Sequence, residues 1–387
     1  MRKKGRRIIH HLKSLLIALG CLLLLSGCWD EREIEDRTSV VAIAVDKADD
    51  GHILLTAQIP LPLKIAGGGG GTSGGGGGGG AESVKIINTK GRTFEEAVGK
   101  IQYRVDQKLF FGQLTVIAFG KELAKDGIQS TIDALRRMRQ TRRLMYPVVV
   151  EGKAAELMSQ TTDLEKIPAN FVRNMIDNGV RLGFLPNLTL GQFFTRLSSK
   201  ARQPAMLNFK VDGSKIIVTG VAAFKGDKLA GLLNRRETSN LLRVSKENSG
   251  GDITLRVGGK GMATFEPKLV DTNYDFSYEG GKVHSRIMVK IEGEVTELTF
   301  PMNLKNKKIH EKLERTVEKE LAKQSTKMIQ ELQKFGTDIV GLGARVRAFH
   351  NAIWEKVDWD KAFSNADVEV QYDVKIRRSG MELKNYQ

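Results

Sequence analysis

The residues best placed to do chemistry are Leu25-Ser26-Gly27-Cys28. They close an apolar run, Leu15 to Leu25, that follows a basic start containing Arg2, Lys3, Lys4, Arg6 and Arg7. A charged region, an apolar region of about 7–15 residues and a small-residue cleavage site make a secretory signal. The cysteine directly after the small pair turns that signal into a lipobox. The Cys28 thiol then takes a diacylglyceryl thioether, the chain is cut between Gly27 and Cys28, and the freed amine is open to acylation by palmitate or a similar chain. An uncleaved span is disfavoured, because about 20 apolar residues are needed to cross a bilayer. This run is shorter and ends in Trp29-Asp30-Glu31. The expectation is a signal peptide over 1–27 and a mature chain held by lipid on the extracytoplasmic face of a membrane.

Other chemistry finds no support in the residues. A serine hydrolase needs a nucleophile elbow, Gly-x-Ser-x-Gly between a strand and a helix, with a downstream acid and histidine; the pattern occurs only as Gly71-Thr-Ser-Gly-Gly75 inside a glycine tract, without that setting. His10 and His11 fall inside the signal. His52, His284, His310 and His350 lack the paired spacing that zinc requires. Cys21 also lies in the signal, so beyond Cys28 the mature chain has no thiol for a disulfide, a redox pair or a metal. Twelve of the 41 glycines sit between Gly67 and Gly80, but no Gly-Lys-Ser/Thr follows, so the tract reads as a flexible loop and not a phosphate cradle. Glu95-Glu96 belongs to a helix cap. The chain is therefore expected to be no enzyme and to use no metal and no cofactor.

Removing 27 of 387 residues leaves 360, a length that suits two or three domains. The net charge of +16 falls to about +10, since Arg2, Lys3, Lys4, Arg6, Arg7 and Lys13 leave with the signal. A basic exterior suits a chain held against an anionic leaflet. Nucleic acid is not an expected partner, because the cations are dispersed and no aromatic-and-basic motif accompanies them.

Apolar β-branched runs predict strands at 39–46, 53–59, 82–89, 114–119 and 146–151. Thr93-Phe-Glu-Glu96 predicts a capping box that opens a helix to about 107, and further helices are expected at 126–139, 153–160, 169–179 and 190–199. Residues 202–213 read as polar and broken, and a boundary is placed there: 28–205 as an N-terminal α/β region, 206–387 as a C-terminal α+β domain. In the latter, strands at 216–224 and 228–233 flank a Gly226-Asp227 turn and a short helix spans 235–242. Strands at 253–257, 274–278, 283–292 and 294–299 follow, with a long amphipathic helix at 307–335, a helical stretch to about 354 and a closing strand at 368–376. The fold class is α+β, multi-domain, with mixed sheets flanked by helices.

Several stretches resemble the Ger(x)C family, the C subunits of nutrient germinant receptors in spore-forming Gram-positive bacteria. They are Gly27-Cys-Trp-Asp-x-Arg-Glu-Ile34, Val41-Ala-Ile-Ala-Val-Asp46, Gly91-Arg-Thr-Phe-Glu-Glu-Ala97 and Phe110-Phe-Gly-Gln-Leu114, then Val221-Ala-Ala-Phe-Lys-Gly-Asp-Lys-Leu229 with Leu233-Asn234 and Glu237-Thr238. Asp338 to Gly343 with Trp354, and Val374-Lys-Ile-Arg-Arg-Ser-Gly380, complete the set. Gln113 and Asn240 depart from the pattern, where a histidine and a glycine are expected. At Asn240 this bears on a turn after Thr238, since asparagine takes a left-handed conformation at some cost.

The resemblance implies a non-catalytic lipoprotein of the inner spore membrane, needed for the germination response and working with integral-membrane A and B subunits. The hairpin at Phe224, Lys225 and Asp227 reads as core, with a partner-docking role as the alternative; Trp354 reads as packing for the long helix or as part of a partner-facing patch. The rival class is an extracytoplasmic solute- or envelope-binding lipoprotein. The sequence itself assigns no small-molecule site.

Overall fold

The computed structural model describes residues 11–13, 15, 37–61, 83–160, 164–257, 261–302 and 306–379. Gly27, Cys28, most of the expected signal peptide and the glycine tract lie outside the described residues. Among the described residues no helix is long and apolar enough to cross a membrane.

The first half is built on strands that are apolar on both faces. β1 (Arg37–Ser39) pairs in parallel with β5 (Lys108–Phe110), a strand the sequence reading missed. β2 (Ala42–Lys47), β6 (Val116–Gly120) and β7 (Tyr146–Val150) run parallel at the centre of an eight-stranded sheet. Their near-continuous apolar runs follow from burial on both faces. Ala42, Ala44, Val116 and Ala118 point into one core, and Ile43, Val45, Ile117 and Phe119 into the other. β3 (Ile53–Pro60) and β4 (Val84–Gly91) extend the sheet antiparallel on one side.

α1 (Phe94–Gln102), α2 (Lys121–Asp126), α3 (Gln129–Arg137) and α6 (Leu190–Leu197) cover the second core. α4 (Ala154–Met158) and α5 (Pro168–Arg181) cover the first. The helix expected over 126–139 is α3, which starts at Gln129, and α2 before it was not expected from the sequence. Gly127, at φ 124°, separates the two helices in a conformation that costs a side chain energy. The helix after Thr93 stops at Gln102, not near 107.

Residues 202–213 are not broken. They form β8 (Ala205–Asp212), which pairs in parallel with β7 and antiparallel with β9 (Lys215–Lys225); β10 (Lys228–Asn234) closes the edge. Residues 205–234 thus supply three strands to the sheet begun by residue 42. α7 (Arg235–Val244) follows, opened by a complete capping box between Asn234 and Glu237.

The four-stranded sheet comprises β11 (Ile253–Val257), β12 (Gly261–Glu279), β13 (Lys282–Leu298) and β14 (Asp367–Ser379) in that order. Three expected strand pieces between 274 and 299 are two long strands joined at Gly280-Gly281, both at positive φ. α8 (Lys307–Phe335) lies across one face with Leu313, Val317, Leu321, Met328 and Leu332 buried. Its Glu314 and Glu318 carboxylates accept the Ile376 and Val374 amides at 2.9 and 3.0 Å, capping the outer edge of β14. α9 (Leu342–Phe349), α10 (Asn351–Trp354) and α11 (Trp359–Asn365) lead to β14. The architecture is the expected multi-domain α+β with mixed sheets flanked by helices.

Candidate functional site

Two segments that carry the family resemblance, 221–229 and 338–343, meet in space. β9 and β10 turn at Gly226, whose φ of 61° suits glycine. Phe224 is fully buried beneath the turn and packs edge-on against Phe193, with centroids 5.4 Å apart. Its carbonyl accepts the Thr337 hydroxyl at 2.6 Å, and its amide donates to the Pro204 carbonyl. The Gly226 amide donates to Gln203 Oε1 at 3.1 Å, and Gln203 Nε2 donates to Asp360 at 3.0 Å. The Gln203 amide donates to the Asp338 carbonyl. Asp227 receives the amides of Gln129 and Ile128 through its carboxylate and its carbonyl, so the turn also caps the start of α3.

Asp338 organises the other segment. One carboxylate oxygen accepts the Gly341 and Leu342 amides at 2.7 and 3.2 Å; the other accepts the Gly343 amide at 2.8 Å and the Trp359 indole N–H at 3.0 Å. Burial pushes its pKa up, against the pull of these four donors. Gly343 admits the indole closely: a Cβ there would sit 2.3 Å from Trp359 Nε1. Trp359 stacks on Trp354 at 6.2 Å, and the Arg347 guanidinium lies 6.0 Å from the Trp354 ring. Arg202 and Arg345 close the loop by donating to the Ile339, Val340 and Gly341 carbonyls.

Of the sequence-designated positions, Phe224 lies in the core, Lys225 is exposed, and Asp227 and Trp354 are half-buried at the rim of this joint. Gln203, Thr337 and Asp360 were missed. Nothing in their local spacing marks them, since their partners lie more than 20 residues away. Asn240 sits inside α7, buried, with its Oδ1 accepting from Arg243 at 3.1 Å. The left-handed turn considered for it is absent: the segment is helical and the side chain serves the helix.

The joint is a hydrogen-bonded scaffold with an exposed rim. Among the described residues no group of three or more His, Cys, Asp or Glu could hold a metal. His284 faces Asp367 at 3.3 Å and His310 faces Glu314 at 3.8 Å, one carboxylate each.

The family model of the spore germination protein N-terminal domain matches residues 30–211, and that of the spore germination B3/GerAC-like C-terminal domain matches residues 219–380. Relatives include spore germination protein KC of Bacillus subtilis (strain 168), 26% identical over 95% of this chain and 96% of that protein. Spore germination protein B3 of the same organism is 28% identical over 93% and 96%. Spore germination protein GerQC of Bacillus cereus is 25% identical over 96% and 99%. The crystal structure of the GerBC protein superposes with a TM-score of 0.58 at 25% identity, covering 87% of this chain and 96% of that one. With the two domain matches spanning nearly all of the described fold and the resemblance motifs meeting at its joint, the chain belongs to the Ger(x)C family of spore germination proteins.

Proposed function

We propose that the chain is a non-catalytic, lipid-anchored subunit of a spore nutrient germinant receptor. It assembles with integral-membrane A and B subunits on the extracytoplasmic face of the inner spore membrane, and the germination response requires it. One observation carries this reading: a two-domain spore-germination match that begins at residue 30, two residues past the lipobox cysteine. Binding and assembly, not turnover, fit a fold whose best-developed polar constellation is spent on holding a loop. Lys225, Asp227 and Trp354 at the rim of the joint are the partner contacts, with Phe224 supporting the turn from below.

The anchoring is tested with Cys28→Ala. It should remove the chain from the membrane fraction and impair nutrient-triggered germination; unchanged fractionation and germination would sink the claim. Assembly is tested by purifying the receptor from spore membranes. Lys225→Glu with Trp354→Ala should lower the yield of co-purifying membrane proteins while the chain stays membrane-bound.

A solute-binding lipoprotein is the second reading. It is favoured by a cleft of about 380 Å³ lined by Met175, Phe184, Leu185, Val218, Arg235 and Asp252. Strong thermal stabilisation of the isolated chain by amino acids or sugars would support it.

A further inference from the structure

β2, β6 and β7 run parallel with Ala42, Val116 and Tyr146 in register, so the loops entering them gather at one end of the sheet. β1 and β5 lie at that end too. The amide of Val40 donates to Phe110, that of Thr115 to Val41, and that of Tyr146 to Thr115, each at 2.9 Å. Gln140 Oε1 accepts the Phe111 amide at 3.0 Å, which ties the loop after α3 to the same end. The side chain of Gln102, at the close of α1, is bonded to the backbone of Gln107 and Leu109. Tyr103 is therefore placed beside this loop.

The end so assembled has an unusual surface. Tyr103 is 93% exposed and Leu144 80%. Arg137, Arg139, Arg142 and Arg143 are all exposed, and none forms a side-chain hydrogen bond or ion pair with the described residues. Asp106 is the acid in the neighbouring loop. Lone exposed apolar residues are ordinary on protein surfaces. A tyrosine and a leucine beside four unpaired arginines combine what a bilayer interface takes: an amphipathic ring, an apolar side chain and cations for lipid phosphates.

The chain outside the structure supplies the partner. Arg37, the first residue of β1, stands with its guanidinium 5.0 Å from the Phe110 ring at this end. Cys28 precedes it by nine residues, a reach of about 30 Å at full extension. A lipid on Cys28 therefore keeps Arg37, at this end of the sheet, within about 30 Å of the bilayer. We infer that the end bearing Arg137, Arg139, Arg142, Arg143, Tyr103 and Leu144 docks on the surface of an anionic phospholipid membrane, orienting the lipid-anchored chain. The inference rests on the lipid-anchor reading. The diacylglyceryl group on Cys28 supplies the attachment, and the electrostatic contact sets which face of the chain meets the bilayer.

The test uses the processed chain, residues 28–387, with Cys28→Ser, so that no lipid contributes. It should sediment with phosphatidylglycerol-containing vesicles at low salt, and not with pure phosphatidylcholine vesicles or at high salt. Replacing the four arginines by glutamine should weaken partitioning about a thousandfold. The same number of changes on the basic face of α8, at Lys312, Arg315, Lys319 and Lys323, should leave it within about threefold. Undiminished binding of the arginine variant, equal loss in the α8 variant, or no preference for the anionic lipid would overturn the inference.

A second measurement covers the case in which the fourfold variant fails to fold. With Cys28 replaced, Leu144→Cys supplies the one thiol of the processed chain. An environment-sensitive dye on it should shift to the blue on adding anionic vesicles, while the same dye at Lys323→Cys should not; matching responses would also overturn the proposal. Lipidation itself is read separately, from the mass of the native chain extracted from membranes, so the two ideas fail independently.

Discussion

At the scale of single residues, Asp338 does the most for the fold at the joint. It draws three backbone amides and one indole N–H onto a single buried carboxylate. An orphaned buried donor costs about 1–3 kcal/mol. Asp338→Ala is therefore expected to destabilise the chain by about 3–5 kcal/mol, after some relief from entering water. Denaturant unfolding measures this, and a loss below about 1 kcal/mol would mean the loop is held by Arg202 and Arg345 instead. Neighbouring glycines owe their identity to the same contacts. Gly341 adopts φ 86° to start the turn, and Gly343 clears space for Trp359. The run Asp338 to Gly343 is thus a loop folded around its own first carboxylate.

Among the elements, the start of α1 shows how a local signal is refined by its surroundings. Thr93 Oγ1 accepts the Glu96 amide at 3.1 Å, as the Thr-x-x-Glu pattern implies. Glu96, however, reaches past the cap residue to accept the Arg92 amide at 3.0 Å, and also bonds Lys100 at 2.8 Å. The Lys100 ammonium first, then the Arg92 amide, hold its pKa down to about 2. A carboxylate depressed on folding contributes stability that is present above its ordinary value of 4.5 and lost as pH falls toward about 2. The Tm difference between wild type and Glu96→Gln should accordingly be largest above pH 4.5 and close over that window. A difference that stays constant down to the lower limit would show that the charge is idle.

For the molecule as a whole, the eight-stranded sheet decides which parts fold together. β8, β9 and β10 come from residues 205–234, and without them β7 would present a bare apolar edge. A fragment comprising residues 28–204 is expected to aggregate and to show no cooperative thermal transition by circular dichroism, whereas the processed chain melts cooperatively. A cooperative melt of that fragment would show that the sheet is stable without its last three strands. One buried cluster runs from Ala42 through Val221 and Leu233 to Val374, so the two sheets share a continuous core.

By itself the sequence determined the features whose causes are local. The long helix was legible to the residue because an apolar stripe runs unbroken from Asn306, which caps it, to Gly336, which ends it at φ 64°. The strands at 42–47, 116–120 and 146–150 were legible because burial on both faces demands apolar, β-branched runs. The ordered set of motifs was enough for the family. Tertiary structure decided the rest. β8 hides from its own composition because Asn208 stands in its middle, acceptable only because Glu151, distant in the chain, and Thr219 on the neighbouring β9 take its amide hydrogens at 2.6 Å each. β12 and β13 looked like fragments because bulges at Pro267 and Gly293 interrupt their alternation, while the pairing that carries them through is non-local. The meeting of 221–229 with 338–343, and of four arginines with the entry of the chain from Cys28, depends on strand order and register. Neither is a property of any short stretch of residues.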